Sequence, residues 1–258
     1  MEPKLQLTRE RSIASSRYDF SFVSDFERSI FPIVQQQKNG RPKLIGSGFF
    51  ILPWGFFVTA KHIFEGNDID KEDAFDAFVT VDGALVQLPI EEIKLSGDRD
   101  IAFGVIRMQS AASIVSVMQD DPIVSDHGNE VLGALVFAQT LIHEKIPFDP
   151  DEVIFNVRSL WEKGYVEDIH PDGLRYVSGR CYSTSLFAEG RSSGSPVFNS
   201  NGFVIGLIST GIAPSGLCPF STITAISEVL SFPVDGETLW EHRKKLPNKP
   251  TVRVRRQG

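Results

Sequence analysis

Apolar residues along this chain fall into short runs that are separated by turn-forming residues. The run Gly46-Ser47-Gly48-Phe49-Phe50-Ile51-Leu52 is followed by Pro53-Trp54-Gly55 and then by Phe56-Phe57-Val58-Thr59-Ala60, which predicts two strands joined by a tight turn. Further on, Asn201-Gly202 lies between two apolar runs, and an Asn-Gly pair in that position is among the strongest short-range signals for a β-hairpin. Neither half shows the long periodic helices that an α/β sheet needs between its strands. The pattern therefore predicts an all-β chain.

The apolar runs predict six strands in each half of the chain. In the first half they cover residues 31–36, 44–52, 56–60, 77–81, 85–90 and 101–106. In the second half they cover residues 130–138, 153–160, 175–184, 195–198, 204–210 and 221–225. Turn signals at Asn39-Gly40 and Asp82-Gly83 support the hairpins, and short helices are predicted at 24–29 and 226–231.

Composition divides the chain into four segments. A polar leader at 1–27 precedes a first β-rich unit at 28–112, a second unit with its closing helix at 113–242, and a basic tail at 243–258. The tail holds seven basic residues and no acidic one, so the rest of the chain carries a charge of about −14 within the total of −7. Because such tails are usually solvated, we expect this one to be mobile and available to an acidic partner.

Three short segments carry the residue types of a nucleophilic hydrolase. They are Thr59-Ala60-Lys61-His62, Asp100-Ile101-Ala102 and Gly190-Arg191-Ser192-Ser193-Gly194-Ser195-Pro196-Val197. A serine hydroxyl is a poor nucleophile until an imidazole takes its proton, and the imidazole needs a carboxylate to fix its tautomer. The order His, Asp, Ser is one of the three common chain orders for this chemistry.

Together these segments resemble the trypsin-like (chymotrypsin-fold) serine proteases, in particular the short bacterial-type trypsin-like peptidase domains. The resemblance covers residues 28 to 232 and rests on motifs that follow the family's order, namely Gly46-Ser47-Gly48-Phe49, Val58-Thr59-Ala60-Lys61-His62, Asp100-Ile101-Ala102, Ser193-Gly194-Ser195-Pro196-Val197 and Gly206-Leu207-Ile208-Ser209. It implies two packed six-stranded antiparallel β-barrels with a short C-terminal helix, and a catalytic cleft between the barrels.

The resemblance also implies a role for each matching residue. His62 would be the general base and acid, Asp100 its orienting carboxylate and Ser193 the nucleophile, while the backbone N–H groups of Arg191 and Ser193 would form the oxyanion hole. The substrate-binding pocket would take its walls from Phe187, Ser209, Thr210 and Gly211. Phe187 falls where trypsin has a floor aspartate, so we expect no strong preference for Lys or Arg unless Glu189 enters the pocket.

Ser192 competes with Ser193 for the role of nucleophile. Reading the family's Gly-x-Ser from Gly190 selects Ser192, but a serine would then replace the glycine that follows the nucleophile. Reading from Ser193 keeps Gly194 in that place, and we favour Ser193. Ser192 then stands where digestive members have the aspartate of their zymogen ion pair, so we do not expect that kind of activation.

Arg191 is the main departure from the family pattern. The family normally has glycine there, because the oxyanion loop bends its backbone into conformations that a Cβ resists. Either Arg191 adopts such a conformation at a cost of about 1–3 kcal/mol, or the carbonyl of Arg191 or Ser192 turns inward and leaves the resting enzyme inactive. Because no compensating glycine lies at that position, the sequence favours the inward carbonyl.

Composition narrows the setting and the partners. With 258 residues, of which 41% are hydrophobic, the chain can bury a sizeable core, and its net negative charge argues against general affinity for nucleic acid or an anionic membrane. Only two cysteines, Cys181 and Cys218, occur, and together with an N-terminus that lacks an apolar run they favour a cytoplasmic protein. No Cys/His set has zinc spacing and the acidic run at 68–73 lacks the order of a calcium loop, so no cofactor or metal is expected.

The sequence therefore predicts a serine endopeptidase that acts inside the cell on few protein or peptide substrates. The alternative is a catalytically inactive trypsin-like pseudo-protease that serves as a peptide- or protein-binding module. The presence of all three triad residue types in order favours the enzyme, because a decayed site usually loses one of them.

Overall fold

The computed structural model describes residues 4–11, 18–22, 26–37, 42–65, 74–117, 129–141, 152–175, 177–188, 191–212, 220–247 and 252–256. The strands of the N-terminal part are β1 (Lys4–Arg11), β2 (Tyr18–Phe22), β3 (Ile30–Gln36), β4 (Pro42–Phe50), β5 (Phe56–Thr59), β6 (Phe75–Val81), β7 (Ala84–Leu95) and β8 (Ala102–Ile106). The later strands are β9 (Asn129–Leu141), β10 (Glu152–His170), β11 (Gly173–Leu174), β12 (Val177–Ser178), β13 (Cys181–Thr184), β14 (Pro196–Asn199), β15 (Val204–Ile212), β16 (Phe220–Ala225), β17 (Pro233–Val234), β18 (Glu237–Thr238) and β19 (Val252–Arg256). The helices are short: α1 (Phe26–Ser29), a 3₁₀ turn (Lys61–Phe64), α2 (Ile226–Leu230) and α3 (Leu239–Lys244).

The first β unit is a closed barrel of six antiparallel strands in the order β3-β4-β5-β8-β7-β6. Aromatic side chains fill its interior, where Phe31 lies 4.7 Å from Phe50 and 5.3 Å from Phe57 between ring centroids. Asp82 and Gly83 close the β6–β7 hairpin with φ values of 49° and 83°, the left-handed pair that a tight two-residue hairpin turn requires. The six predicted strands of this half are thus present, and they close into one barrel.

The second β unit is a seven-stranded sheet in the order β1-β10-β13-β16-β15-β14-β9. Its long strand β10 pairs with β9 over most of its length and with β13 at its end, so β10 also joins the sheet back to β9. The Asn201-Gly202 turn links β14 to β15, with Gly202 at a φ of 80°. The side-chain oxygen of Asn199 accepts the N–H groups of Asn201 and Phe203 at 3.0 Å each.

Strands β14 and β15 lie between two hydrophobic cores. Val197 and Ile205 point into the core of the second unit. Their neighbours Phe198 and Val204 pack instead with the residues of the first barrel. Because side chains alternate across a strand, both faces of these strands are buried, and the two units share one continuous contact at the place where the serine segment enters β14.

Several elements of the second half differ from the prediction. The strand predicted at 153–160 runs on to His170, and the one predicted at 175–184 is divided into the short strand β12 and the strand β13. Arg175 and Gly179 have positive φ values of 54° and 80°, so the backbone turns where a straight strand was expected. Strands β1, β2 and β19 were not predicted either, although β2 (Tyr18–Phe22) and β19 (Val252–Arg256) alternate apolar and polar residues; the polar leader and the basic tail were assigned from composition and charge instead.

The C-terminal segment is only partly the solvated tail expected from its charge. Arg243 lies in α3, is 2% exposed and donates to the carbonyl of Ile51 at 3.1 Å. Burial lowers the pKa of its guanidinium to about 10. Further on, Val252–Arg256 pairs with β2. Asn39-Gly40, the acidic run at 68–73, Glu189 and Cys218 lie outside the described residues.

Two observations concern the described ranges alone. No helix within them is long and apolar enough to span a membrane, and they contain no group of three or more His, Cys, Asp or Glu side chains arranged to hold a metal ion.

Candidate active site

The hairpin of β4 and β5 determines where His62 lies. Ile51 donates to the carbonyl of Phe56 at 3.0 Å, and Gly55 turns the chain with a φ of 81°. A Cβ on Gly55 would lie 1.9 Å from the carbonyl oxygen of Ile106, so only glycine fits this turn. Strand β5 then ends in the 3₁₀ turn, whose Ile63 is buried in the barrel core while the imidazole of His62 remains 43% exposed.

Asp100 lies in the loop between β7 and β8, and both oxygens of its carboxylate face His62. Each oxygen is 3.0 Å from Nδ1 of the imidazole, and Oδ1 also accepts the backbone N–H of His62 at 3.0 Å. Burial acts to raise the pKa of Asp100, but hydrogen bonds from His62 and from the Ser209 hydroxyl outweigh it and hold the pKa below its ordinary value. The group is therefore held as a carboxylate, which can only accept hydrogen bonds.

Ser193 lies on the other side of the imidazole. Its Oγ is 2.8 Å from Nε2 of His62. Ser192, by contrast, is 1% exposed, and its carbonyl accepts the N–H of Ser195 at 3.0 Å within a tight turn. The structure therefore brings His62, Asp100 and Ser193 into one hydrogen-bonded line and leaves Ser192 outside it.

The turn at Ser193 is docked on both β units. The carbonyl of Ser193 accepts the N–H of Ser47 from β4 at 2.9 Å, and the N–H of Gly194 donates to the carbonyl of Ile208 in β15 at 2.8 Å. Gly194 has a φ of 85°, and a Cβ there would lie 2.1 Å from the Ser47 carbonyl oxygen and 2.2 Å from Oγ1 of Thr59. The backbone can approach the first barrel this closely only because the residue is glycine.

The family model for the trypsin-like peptidase domain matches residues 46–207, which contain all three of these side chains. The chain belongs to the trypsin-like peptidase family. No curated protein matches its sequence.

Solved structures show the same fold. The protease domain of MamO from Magnetospirillum magneticum, in its apo form, is 13% identical with a TM-score of 0.59, and the match covers 82% of this chain and 99% of that one. Deg5 is 16% identical with a TM-score of 0.57, and the match covers 80% of this chain and 87% of that one. At these identities the likeness shows the fold alone, which is the chymotrypsin-like arrangement expected from the sequence.

The segment before Ser193, where the family has its oxyanion loop, has a left-handed backbone at Arg191. The φ of Arg191 is 80°, a left-handed value that few residues with a Cβ adopt. The expectation of an inward carbonyl is wrong at Ser192, because that carbonyl is held by Ser195 within the turn. Among the described residues, no acceptor is paired with the N–H of Arg191 or of Ser193.

The residues predicted to bind substrate occupy different environments. Phe187 is 43% exposed beside the segment that leads to the serine turn. Thr210 and Gly211 lie in β15, opposite Thr222 and Ser221 of β16. The side chain of Ser209 is fully buried, and its hydroxyl hydrogen-bonds to Asp100.

Ser209 therefore has a role that the sequence argument missed. Its hydroxyl lies 2.6 Å from Oγ1 of Thr224 and also hydrogen-bonds to the carboxylate of Asp100. Because a hydroxyl has one proton and an ionised carboxylate has none, Ser209 donates to Asp100 and accepts from Thr224. Ser209 lies where the pairing of β15 with β16 shifts register, and such bulges re-aim side chains. Sequence spacing gave no signal for this bulge.

Proposed function

We propose that the chain is a serine endopeptidase that cleaves peptide bonds through His62, Asp100 and Ser193. The observation that carries the proposal is the line of contacts from Ser193 Oγ to His62 Nε2, at 2.8 Å, and from His62 Nδ1 to Asp100, at 3.0 Å. Both distances are within the reach that proton transfer needs. The match to the trypsin-like peptidase family supports the same assignment.

The chemistry follows from these three groups. His62 Nε2 accepts the proton of Ser193 as Oγ attacks the carbonyl carbon of the scissile bond, and Asp100 stabilises the imidazolium that forms. His62 then gives the proton to the leaving amine, which leaves an acyl group on Ser193. Water, activated by the same imidazole, hydrolyses this acyl-enzyme and restores the serine.

The oxyanion formed in each step needs donors that are already in place. We assign this role to the backbone N–H groups of Arg191 and Ser193. The left-handed backbone of Arg191 supports the assignment, because the family's loop conformation requires it. Loss of one such donor typically lowers turnover by about 10²–10³-fold, so this loop would account for a large part of the rate.

We extend the proposal to substrates and setting. The exposed phenyl ring of Phe187 offers no charge to a basic side chain, so the peptidase should show no strong preference for Lys or Arg before the cleaved bond. The low cysteine content favours an intracellular enzyme with few protein substrates. The basic residues that follow α3, Lys249 and Arg253 among them, would dock an acidic partner or substrate.

Labelling with a fluorophosphonate probe tests the proposal, because the probe reacts only with a serine that a working site has activated. We expect the wild-type protein to be labelled and peptide mapping to place the label on Ser193. Ser193→Ala should abolish labelling and lower turnover of a peptide substrate by several orders of magnitude. Ser192→Ala is the matched control and should retain both, since the hydroxyl that lies 2.8 Å from His62 Nε2 is that of Ser193, and Ser192 is buried in the turn.

A pseudo-protease that binds peptides is the second candidate, and the presence of arginine at position 191, where the family normally has glycine, favours it. The two candidates give different results with the same reagents. A folded wild-type protein that resists labelling yet binds peptide would contradict the endopeptidase. A label found on Ser192 would support the endopeptidase activity but show that Ser193 is not the nucleophile.

A further inference from the structure

The loop that carries Asp100 has little regular structure of its own. Residues 97–100 form bends between β7 and β8. Two bonds close the loop from within: the N–H of Ser96 donates to the carbonyl of Ile101 at 2.9 Å, and Oγ of Ser96 donates to the carboxylate of Asp98 at 3.3 Å. Neither bond involves Asp100 or Arg99, so the position of the triad carboxylate depends on contacts that the loop makes with other parts of the molecule.

Arg99, the residue directly before Asp100, makes such contacts with α2 and the residue after it. Its Nη1 is 2.9 Å from Oε2 of Glu228, 2.8 Å from Oγ of Ser231 and 3.3 Å from the carbonyl oxygen of Glu228. One guanidinium nitrogen therefore contacts three oxygens of the segment that follows the second β unit. The pair joins residues 129 positions apart in the sequence.

Glu228 also holds a turn of the second β unit. Its Oε1 accepts the backbone N–H of Arg180 at 3.1 Å. The neighbouring Gly179 has a φ of 80°, and a Cβ there would lie 3.2 Å from the Glu228 carboxyl group and 3.6 Å from Cγ of Arg99. The Asp100 loop, the turn before β13 and helix α2 thus meet at one carboxylate.

We propose that Arg99 and Glu228 are positioning residues that fix Asp100 relative to His62 by tying its loop to helix α2 and, through the N–H of Arg180, to the turn before β13 of the second β unit. This inference rests on the proposed function of the triad. His62 and Asp100 belong to the first barrel, whereas Ser193 and Ser209 belong to the second unit. The four side chains can align only if the two units keep a fixed position relative to each other near Asp100. The ion pair between Arg99 and Glu228 is a contact that holds them there.

The Arg99–Glu228 pair is partly buried, so it can hold the Asp100 loop in place more strongly than an exposed ion pair could. The side chains of Arg99 and Glu228 are 33% and 16% exposed, whereas those of the pair Arg107–Glu91 in the same barrel are 82% and 37% exposed. Exposed ion pairs contribute little because water and salt screen them. Arg107 therefore provides a matched control for the removal of one arginine from an ion pair.

Four variants test the proposal through steady-state kinetics on a peptide substrate. Arg99→Ala removes the cation, and Glu228→Gln removes the charge but keeps an oxygen for the N–H of Arg180. Each should lower kcat by roughly tenfold and leave KM within about twofold, because misalignment of a catalytic group acts on the chemical step. Arg99→Lys should recover part of the loss, and Arg107→Ala should match wild type.

The hydrogen bond between His62 and Asp100 gives a second readout that does not depend on turnover. The Nδ1 proton of His62, bonded to the carboxylate, should give a low-field proton NMR signal in the wild type. Arg99→Ala and Glu228→Gln should weaken it or make it exchange faster with water, and Arg107→Ala should leave it unchanged.

These two readouts separate the inference from the proposed function. A wild-type protein without activity but with a low-field signal that depends on Arg99 would contradict the endopeptidase and support the positioning role. Normal kcat and an unchanged signal in a folded Arg99→Ala or Glu228→Gln would overturn the positioning role and leave the endopeptidase standing. A loss of kcat that Arg107→Ala reproduces would also overturn it.

Discussion

Arg191 is the residue at which this chain departs most clearly from what its family requires. Its φ of 80° lies in a region that glycine adopts freely and a residue with a Cβ does not. Such a conformation costs on the order of 1–3 kcal/mol and persists only where the surroundings enforce it. Here the hydrogen bonds from Ser195 to Ser192, from Ser47 to Ser193 and from Gly194 to Ile208 close the turn that follows, and they hold the loop in spite of the arginine.

Substitution of Arg191 tests whether the resting loop is competent. Arg191→Gly should leave turnover of a small ester substrate unchanged and raise the free energy of unfolding by at most about 1 kcal/mol, because strain is relieved without a change of shape. Arg191→Val should lower turnover by about 10²-fold, since a β-branched residue resists a left-handed backbone and the donor would be lost. Steady-state kinetics and urea unfolding measure the two effects.

Arg175 supplies the control for this experiment. It is also an arginine with a positive φ, 54°, but it lies in the turn between β11 and β12. Arg175→Gly should therefore change stability in the same direction as Arg191→Gly and leave turnover alone. A large gain of activity in Arg191→Gly would contradict a preformed loop, because it would mean that the arginine keeps the resting site inactive.

The three side chains that the structure brings together could be predicted from the sequence, and those that contact and support them could not. His62, Asp100 and Ser193 stand in short motifs whose residue types indicate their chemistry. Ser209 and Glu228 do not, because a buried serine beside a carboxylate and a glutamate beside a distant arginine acquire their meaning only from the fold. The partners of Arg99 lie 129 or more positions away, and no local pattern can indicate such a contact.

At the scale of elements, hairpins with a strong turn signal were predictable and strands without one were not. Asp82-Gly83 and Asn201-Gly202 each close the hairpin that the sequence indicates, because their backbone requirements are local. The extension of β10 to His170 was missed since residues 161–170 mix charged and apolar side chains. These residues form a strand because they pair with β9 and β13. Strand formation depends on such neighbours, so the residues of the strand alone do not predict it.

The position of the serine turn depends on the absence of a side chain at Gly194. Gly194→Ala should destabilise the fold by about 2 kcal/mol or more and should also lower turnover, because a Cβ would displace the serine turn from Ser47 and Thr59. Gly83→Ala is the matched control, since Gly83 has nearly the same φ but nothing within 4 Å of the added Cβ. Thermal unfolding and ester hydrolysis of the two variants measure the difference.

The comparison separates backbone strain from steric contact. In both variants an alanine must adopt a positive φ, which lowers the free energy of unfolding. Only in Gly194→Ala does the added Cβ also clash with the first barrel. Equal losses of stability in the two variants, with turnover intact, would show that the serine turn can move away from β4 without harm and that its docking does not position Ser193.

At the scale of the whole molecule, the site belongs to neither β unit alone. The first barrel supplies His62 and Asp100, and the second unit supplies Ser193 and the hydroxyl of Ser209 that reaches across to Asp100. Strands β14 and β15, buried on both faces, connect the two cores beneath these groups. The low pKa of Asp100 is therefore a property of the assembled molecule, and unfolding, which separates its donors, should return that pKa to its ordinary value of 3.8.

This difference predicts a pH dependence of stability that Asp100→Asn should remove. A carboxyl group whose pKa is lower in the folded than in the unfolded chain stabilises the fold above the unfolded value, and the stabilisation is lost as the pH falls through the folded value. The free energy of unfolding of the wild type should therefore exceed that of Asp100→Asn at neutral pH, and the gap should narrow as the pH falls from about 5 to about 2. Urea unfolding of both proteins over this range measures it.

The His62→Ala background shows which contact is responsible. Burial alone raises the pKa of Asp100, and the bonds from His62 are the main influence against it. In the His62→Ala background, the difference in the free energy of unfolding between the protein with Asp100 and the Asp100→Asn variant should be smaller at neutral pH. This difference should also no longer decrease as the pH falls. A gap that stays constant with pH in the His62-containing proteins would contradict the low pKa of Asp100, and with it the inference that the junction of the two units holds this group as a carboxylate.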